Sequence, residues 1–165
     1  MYSVETLLSG IKNQFNILKH LWEKIHEENI NFTITEWSRT VLELLKYLCF
    51  STPVQVEIMV DGKMDMEKYN ASLAKWENFT YDQFSTELDK AYAHIEAQIK
   101  SVTEEQRTEV INVFYQTAPR NTFLVNYLLV FLGAYKTQLF LQLKAAGNKD
   151  LGTWNLWAGM DEPKK

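Results

Sequence analysis

The stretch that decides the fold is Ala118-Pro119-Arg120-Asn121-Thr122-Phe123-Leu124-Val125-Asn126-Tyr127-Leu128-Leu129-Val130-Phe131-Leu132-Gly133-Ala134-Tyr135-Lys136-Thr137-Gln138-Leu139, running on to Gln142-Leu143-Lys144 and Gly147. Pro119 suits the first turn of a helix, where its missing amide costs nothing. Gly147 suits the stop, where a left-handed residue closes the last turn. Between them the chain is apolar on nearly every side through Tyr135, and a helix apolar all round is buried all round. The segment is therefore expected to be the central helix of a bundle, or one side of a dimer interface. The apolar run from Phe123 to Tyr135 is broken by Asn126 and is shorter than the roughly 18 residues of a membrane span, so a buried helix with no membrane partner is expected.

Working outward, the N-terminal segment places Leu7, Leu8, Ile11, Phe15, Leu18, Trp22 and Ile25 at steps of three and four, one face of a helix. Ser3 is a candidate cap, and the helix should end near Asn29. Thr33 and Glu36 have capping-box spacing, so a second helix is expected to open there and carry Trp37, Val41, Leu44, Leu45 and Leu48. Pro53 ends or kinks it. Val54 to Val60 reads as helix beyond the kink, and Asp61-Gly62 as a turn. Residues 63–79 form a polar, aromatic-dotted connection with a short helix. Thr80 with Gln83 opens a third long helix striped by Phe84, Leu88, Ala91, Ile95 and Ile99. Thr103 with Gln106 opens a shorter one expected to carry Val110, Val113 and Phe114. The tail from Leu151 to Met160 holds Trp154, Leu156 and Trp157 and is expected to fold back on the body.

Composition agrees with an all-α chain of one domain. The 165 residues include 46% hydrophobic and 13% aromatic side chains, with only six glycines and three prolines to make turns. Seventeen basic against 21 acidic residues give a net charge of −4 and no basic stripe, so nucleic acid is not an expected partner. One cysteine, Cys49, permits no internal disulfide. The opening residues show no basic segment followed by an apolar run, so a cytoplasmic location is expected. His20, His26 and His94 do not form a ligand set; His20 and His94 read as surface residues. Cys49, on a Leu- and Phe-rich helix, reads as a packed thiol. The three Asn-x-Ser/Thr matches at Asn31, Asn70 and Asn78 read as chance.

The order of these pieces resembles the DinB/YfiT-like superfamily of four-helix bundles. The residues that carry the resemblance are Trp37-Ser38 upstream, the Thr103-Glu104-Glu105 start, then Lys136-Thr137-Gln138-Leu139, Leu143-Lys144 and Gly147. The family's last helix typically reads His-x-x-x-His, then Arg-Gly-Gln-Leu, Leu-Arg and Gly. The resemblance implies a DinB-like four-helix bundle over residues 1–165, with an extra short helix and a C-terminal tail (147–165) packed on the body. It also implies a metal held by three histidines, one from the second helix and two from the last. Here the last-helix positions are Phe131 and Tyr135. The second-helix position is Tyr47 or a residue one turn away. Phenylalanine has no donor, and a phenol must lose a proton near pH 10 to bind a metal.

Three readings of those positions stand. The rings fill the former metal cavity; or Tyr47, Phe131, Tyr135 and Gln138, with Gln142 beside them, line a pocket for a small molecule without a metal or other cofactor; or a nonstandard metal site exists. The expected function is a non-catalytic ligand-binding or interaction module, with a homodimer through the last long helix. The alternative is a thiol-dependent transferase or isomerase of the DinB/YfiT type with a nonstandard or metal-free site.

Overall fold

A computed structural model describes residues 3–163. Four long helices carry it: α1 (Val4–Glu23), α2 (Val41–Asp61), α4 (Phe84–Ser101) and α6 (Arg120–Ala145). Short helices α3 (Met66–Ala74), α5 (Glu104–Thr108) and α7 (Thr153–Trp157) link or close them, and a hairpin of β1 (Val110–Val113) and β2 (Gln116–Pro119) lies between α5 and α6. Each long helix packs on two others, in the ring order α1, α4, α2, α6. The stripes read from the sequence face inward: Leu7, Ile11, Phe15 and Leu18 meet Phe84, Leu88, Ile95 and Ile99 in one core with Leu44, Leu48, Leu128, Leu132 and Leu139. This is an all-α bundle, as expected.

Local chemistry sets most boundaries. Ser3 accepts the Thr6 amide at 3.1 Å, the Thr103–Gln106 box closes, and the Gln83 side chain accepts the Thr80 amide at 3.0 Å. α2 passes through Pro53 and stops at Gly62, whose φ of 71° is left-handed.

Four expectations need correction. The second helix begins at Val41, not Thr33. The Thr33 hydroxyl donates to the carbonyls of Thr35 and Ser38, and the working capping box is Thr40 with Glu43. Residues 33–40 are thus a loop, Thr33 caps no helix, and Trp37 stands 89% exposed. Val110, Val113 and Phe114 lie in the hairpin rather than on a helix. Val110 pairs with Pro119 and Val113 with Gln116, around a turn in which Phe114 and Tyr115 both have positive φ.

The third correction concerns α6, which is not buried all round. Phe123, Leu128, Leu132, Leu139 and Leu143 enter the core, while Val130 is 68% and Leu141 53% exposed. A π-turn over Phe123–Tyr127 lets Phe123 and Leu128, five residues apart, both reach the core. Taken whole, α6 has the length and mean hydropathy (1.3) of a membrane-crossing helix, with 33% of its most apolar window buried. Core helices of soluble proteins pass the same test.

The fourth concerns the tail. It does fold back: Gly159 approaches α1 so closely that a Cβ there would stand 3.2 Å from the Ile17 Cα. Yet Trp154 and Trp157 face outward, and the anchors are Leu151 and Asn155. Asn155 donates to Asp161 and lies 3.0 Å from Nε2 of His20, which is half-buried under the tail rather than free on the surface.

Candidate ligand site at the aromatic cluster

Phe131 and Tyr135 are one turn apart on α6 and face α2, where Tyr47 meets them. Ring centroids lie 4.6 Å apart for Phe131–Tyr135, 5.0 Å for Tyr47–Tyr135 and 5.8 Å for Tyr47–Phe131. The three side chains singled out in the sequence therefore form one half-buried cluster. Gln138 follows one turn later, also half-buried.

The sequence reading missed what covers the cluster. The Arg39 guanidinium sits 3.9 Å over the Tyr47 ring, a cation–π contact strengthened by guanidinium stacking. Its loop is held from below by Gln142. The Gln142 side chain is fully buried, and its Nε2 donates to the carbonyls of Phe32 and Arg39, both at 2.8 Å. Gln142 is thus the peg under the site rather than part of its wall. A groove of about 530 Å³ opens beside Tyr47, with Trp37, Arg39, Glu43, Lys46, Phe50 and Tyr69 among its walls; of the four residues expected to line a pocket only Tyr47 does so, while Phe131, Tyr135 and Gln138 stand outside it. Among the described residues, neither Arg39 nor Lys46 has a carboxylate within ion-pair distance. The groove therefore joins aromatic surface to two cations and one carboxylate, Glu43, which is engaged by the Thr40 amide, and its net positive wall suits a small anion with an apolar body.

A metal does not fit the cluster. Phe131 offers no donor atom. Burial, and then the neighbouring Tyr47 phenol, push the Tyr135 hydroxyl above the ordinary phenol range, which disfavours the phenolate a metal would need. Among the described residues no three His, Cys, Asp or Glu side chains group closely enough to hold a metal ion.

The remaining reactive side chains lie elsewhere. His94 Nε2 stands 2.7 Å from Glu57, which also pairs with Lys68 at 2.9 Å. His26 is exposed at the end of α1. Cys49 is buried between α2 and α4, and burial pushes its thiol far above the ordinary range. Its reaction with a disulfide reagent at pH 8 is expected to be at least about a hundredfold slower in the folded protein than in urea. Comparable rates in the two states would show that the thiol is accessible. The stem of Lys136 is buried too, which lowers its ammonium below the usual lysine range.

Four long helices in this ring order with a short cross-connection form a DinB-like type of bundle. Two solved structures share it. One is a DinB-like protein, YjoA, from Bacillus subtilis, at 17% identity and a TM-score of 0.68, with 90% of this chain and 97% of that one aligned. The other is a mycothiol-dependent maleylpyruvate isomerase, at 10% identity and a TM-score of 0.53, with 88% of this chain aligned to 61% of that one. No family model matches the sequence, and no curated protein does either.

Proposed function

We propose that this chain is a non-catalytic binding module in which three rings stand at the positions where the family resemblance implies metal ligands. In this reading the groove beside the rings takes a small organic anion. The observation that carries it is the packing of Tyr47, Phe131 and Tyr135 within 4.6–5.8 Å of one another. Imidazoles bound to one zinc at about 2.0–2.1 Å would have ring centres at similar separations. Arg39 and Lys46 outnumber Glu43 in the groove and supply the charge that an anion would meet, and Tyr47, Phe50 and Tyr69 the surface for its apolar part.

The correspondence of positions is tested by the triple variant Tyr47→His, Phe131→His, Tyr135→His. It is expected to take up about one zinc per chain, read by elemental mass spectrometry after dialysis. Uptake no greater than wild type, in a folded variant, would remove the claim that these rings stand in for ligands. Ligand binding is tested separately, by NMR titration with small aromatic carboxylates. Shifts centred on Arg39, Tyr47 and Tyr69 support the reading; specific turnover of a thiol or small electrophile by the wild-type protein would overturn it.

The second reading is a thiol-dependent transferase or isomerase that works without a metal. It draws on the same two cations, since positive charge favours a bound thiolate. Support for it comes from the isomerase that shares the fold.

A further inference from the structure

The outward face of α6 carries a pattern that the fold of one chain does not explain. Val130, Ala134, Thr137 and Leu141 recur at helical spacing, all exposed. From Asn126 to Leu141 the only charged residue is Lys136, and it is buried. The Thr137 hydroxyl donates to the Gly133 carbonyl at 2.8 Å, which leaves its methyl outward. Gly133 itself sits in mid-helix, where glycine costs about 1 kcal/mol relative to alanine. A Cβ added there would meet nothing within 4 Å, so packing inside the chain gives no reason for the residue.

Beside this stripe is a hole. Asn126, Tyr127, Val130 and Phe131 surround a hollow on the outer side of the helix. Gln116 of the hairpin walls it, and the cavity measures about 370 Å³. Leu141, 53% exposed, is a knob without a hole in its own chain.

We propose that α6 packs antiparallel on α6 of a second copy of this chain about a two-fold axis, with Leu141 of each copy seated in the Tyr127–Val130–Phe131 hole of the other. The positions are self-complementary. Pairing 130 with 141 and 134 with 137 uses a single centre, between Tyr135 and Lys136, as an isologous contact requires. The larger side chains then lie at the two ends. Gly133, Ala134 and Thr137 lie at the crossing, where small residues let the backbones approach to about 8 Å. An uncharged face offers nothing to a charged partner, whereas it satisfies a copy of itself. One helix face and a hairpin edge make a small interface, so the dimer is weak and its population follows concentration.

The test is sedimentation of the full chain from micromolar to millimolar concentration, combined with cross-linking. Wild type is expected to move from the 19.3 kDa monomer toward twice that mass. Leu141→Glu, at an exposed position, should keep its melting temperature and remain monomeric. Gly133→Ala should raise the melting temperature of the monomer yet weaken dimerisation at least tenfold. The double variant Val130→Cys, Leu141→Cys should form a disulfide dimer on oxidation. Either single variant should not, because like positions lie roughly 16 Å apart along the axis in this register. A wild type that stays monomeric throughout overturns the proposal. So does cross-linking by a single variant with none added by the double, which would indicate another register. These readouts do not depend on any ligand.

Discussion

Replacing Arg120 by methionine is expected to lower stability by about 3 kcal/mol. Arg120 is 7% exposed at the start of α6 and ties three segments together. Its Nε donates to the Met59 carbonyl at 3.2 Å near the end of α2, and its Nη1 reaches the Gln106 carbonyl of α5 and the Glu109 carboxylate before the hairpin. Methionine keeps much of the volume but strands both carbonyls. Glu109 is half exposed and stays hydrated, so its own loss is small, and Glu109→Gln should cost under about 1 kcal/mol. For a chain of this size the Arg120 change corresponds to a fall in Tm of roughly 6–12 °C. Calorimetry of the two variants checks this. Equal losses would mean that the ion pair, not the carbonyl bridges, holds the junction.

Gln142→Leu is expected to cost about 2 kcal/mol and, more usefully, to loosen one particular loop. With the amide gone, the carbonyls of Phe32 and Arg39 lose their shared donor. The Phe32 carbonyl keeps the Val41 amide at 3.0 Å, which keeps the cost moderate. The loop they hold also receives the amides of Val41 and Leu42, at the Phe32 and Ile30 carbonyls. Hydrogen exchange at Val41 and Leu42 should accelerate, while exchange in α1 and α4 changes only by the global loss. Affinity for an anionic ligand should fall with it, since Arg39 no longer has a fixed place over Tyr47. Unchanged exchange at Val41 would show that the loop holds itself.

The long helices were legible because each has one buried face. Phe84, Leu88, Ala91, Ile95 and Ile99 could form nothing else at that length, and Thr80 marks the entry chemically. The start of α2 was not. Thr33–Glu36 and Thr40–Glu43 have the same spacing, and the choice between them is made by Gln142, more than a hundred residues away. The hairpin was hidden for a different reason. Val110 and Val113 suit a helix or a strand, and the turn at Phe114-Tyr115 lacks the Asn-Gly signature that usually betrays one. Stacking of Phe114 on Tyr127 at 4.9 Å accompanies that backbone, and no local pattern encodes it. At the site, Phe131, Tyr135 and Tyr47 were all singled out by the resemblance; helical geometry adds only that positions 131 and 135 share a face. Arg39 stayed invisible because residues 33–40 had been given to a helix.

The position of the tail has a kinetic consequence. Asn148 donates to the Lys24 carbonyl across 124 residues, and Lys24 and His20 meet Asp161 near the other end of the chain. One flank of α1 packs on α6, and its end is closed by segments made last. During synthesis the first helix therefore emerges with part of its apolar stripe uncovered, and it stays so until α6 and the 148–161 segment have been made. Contacts this distant in sequence slow the search for the native state. The bundle closes only once α6 and the segment after it have been made, and the interval before they arrive is when the nascent chain is most exposed to misassociation.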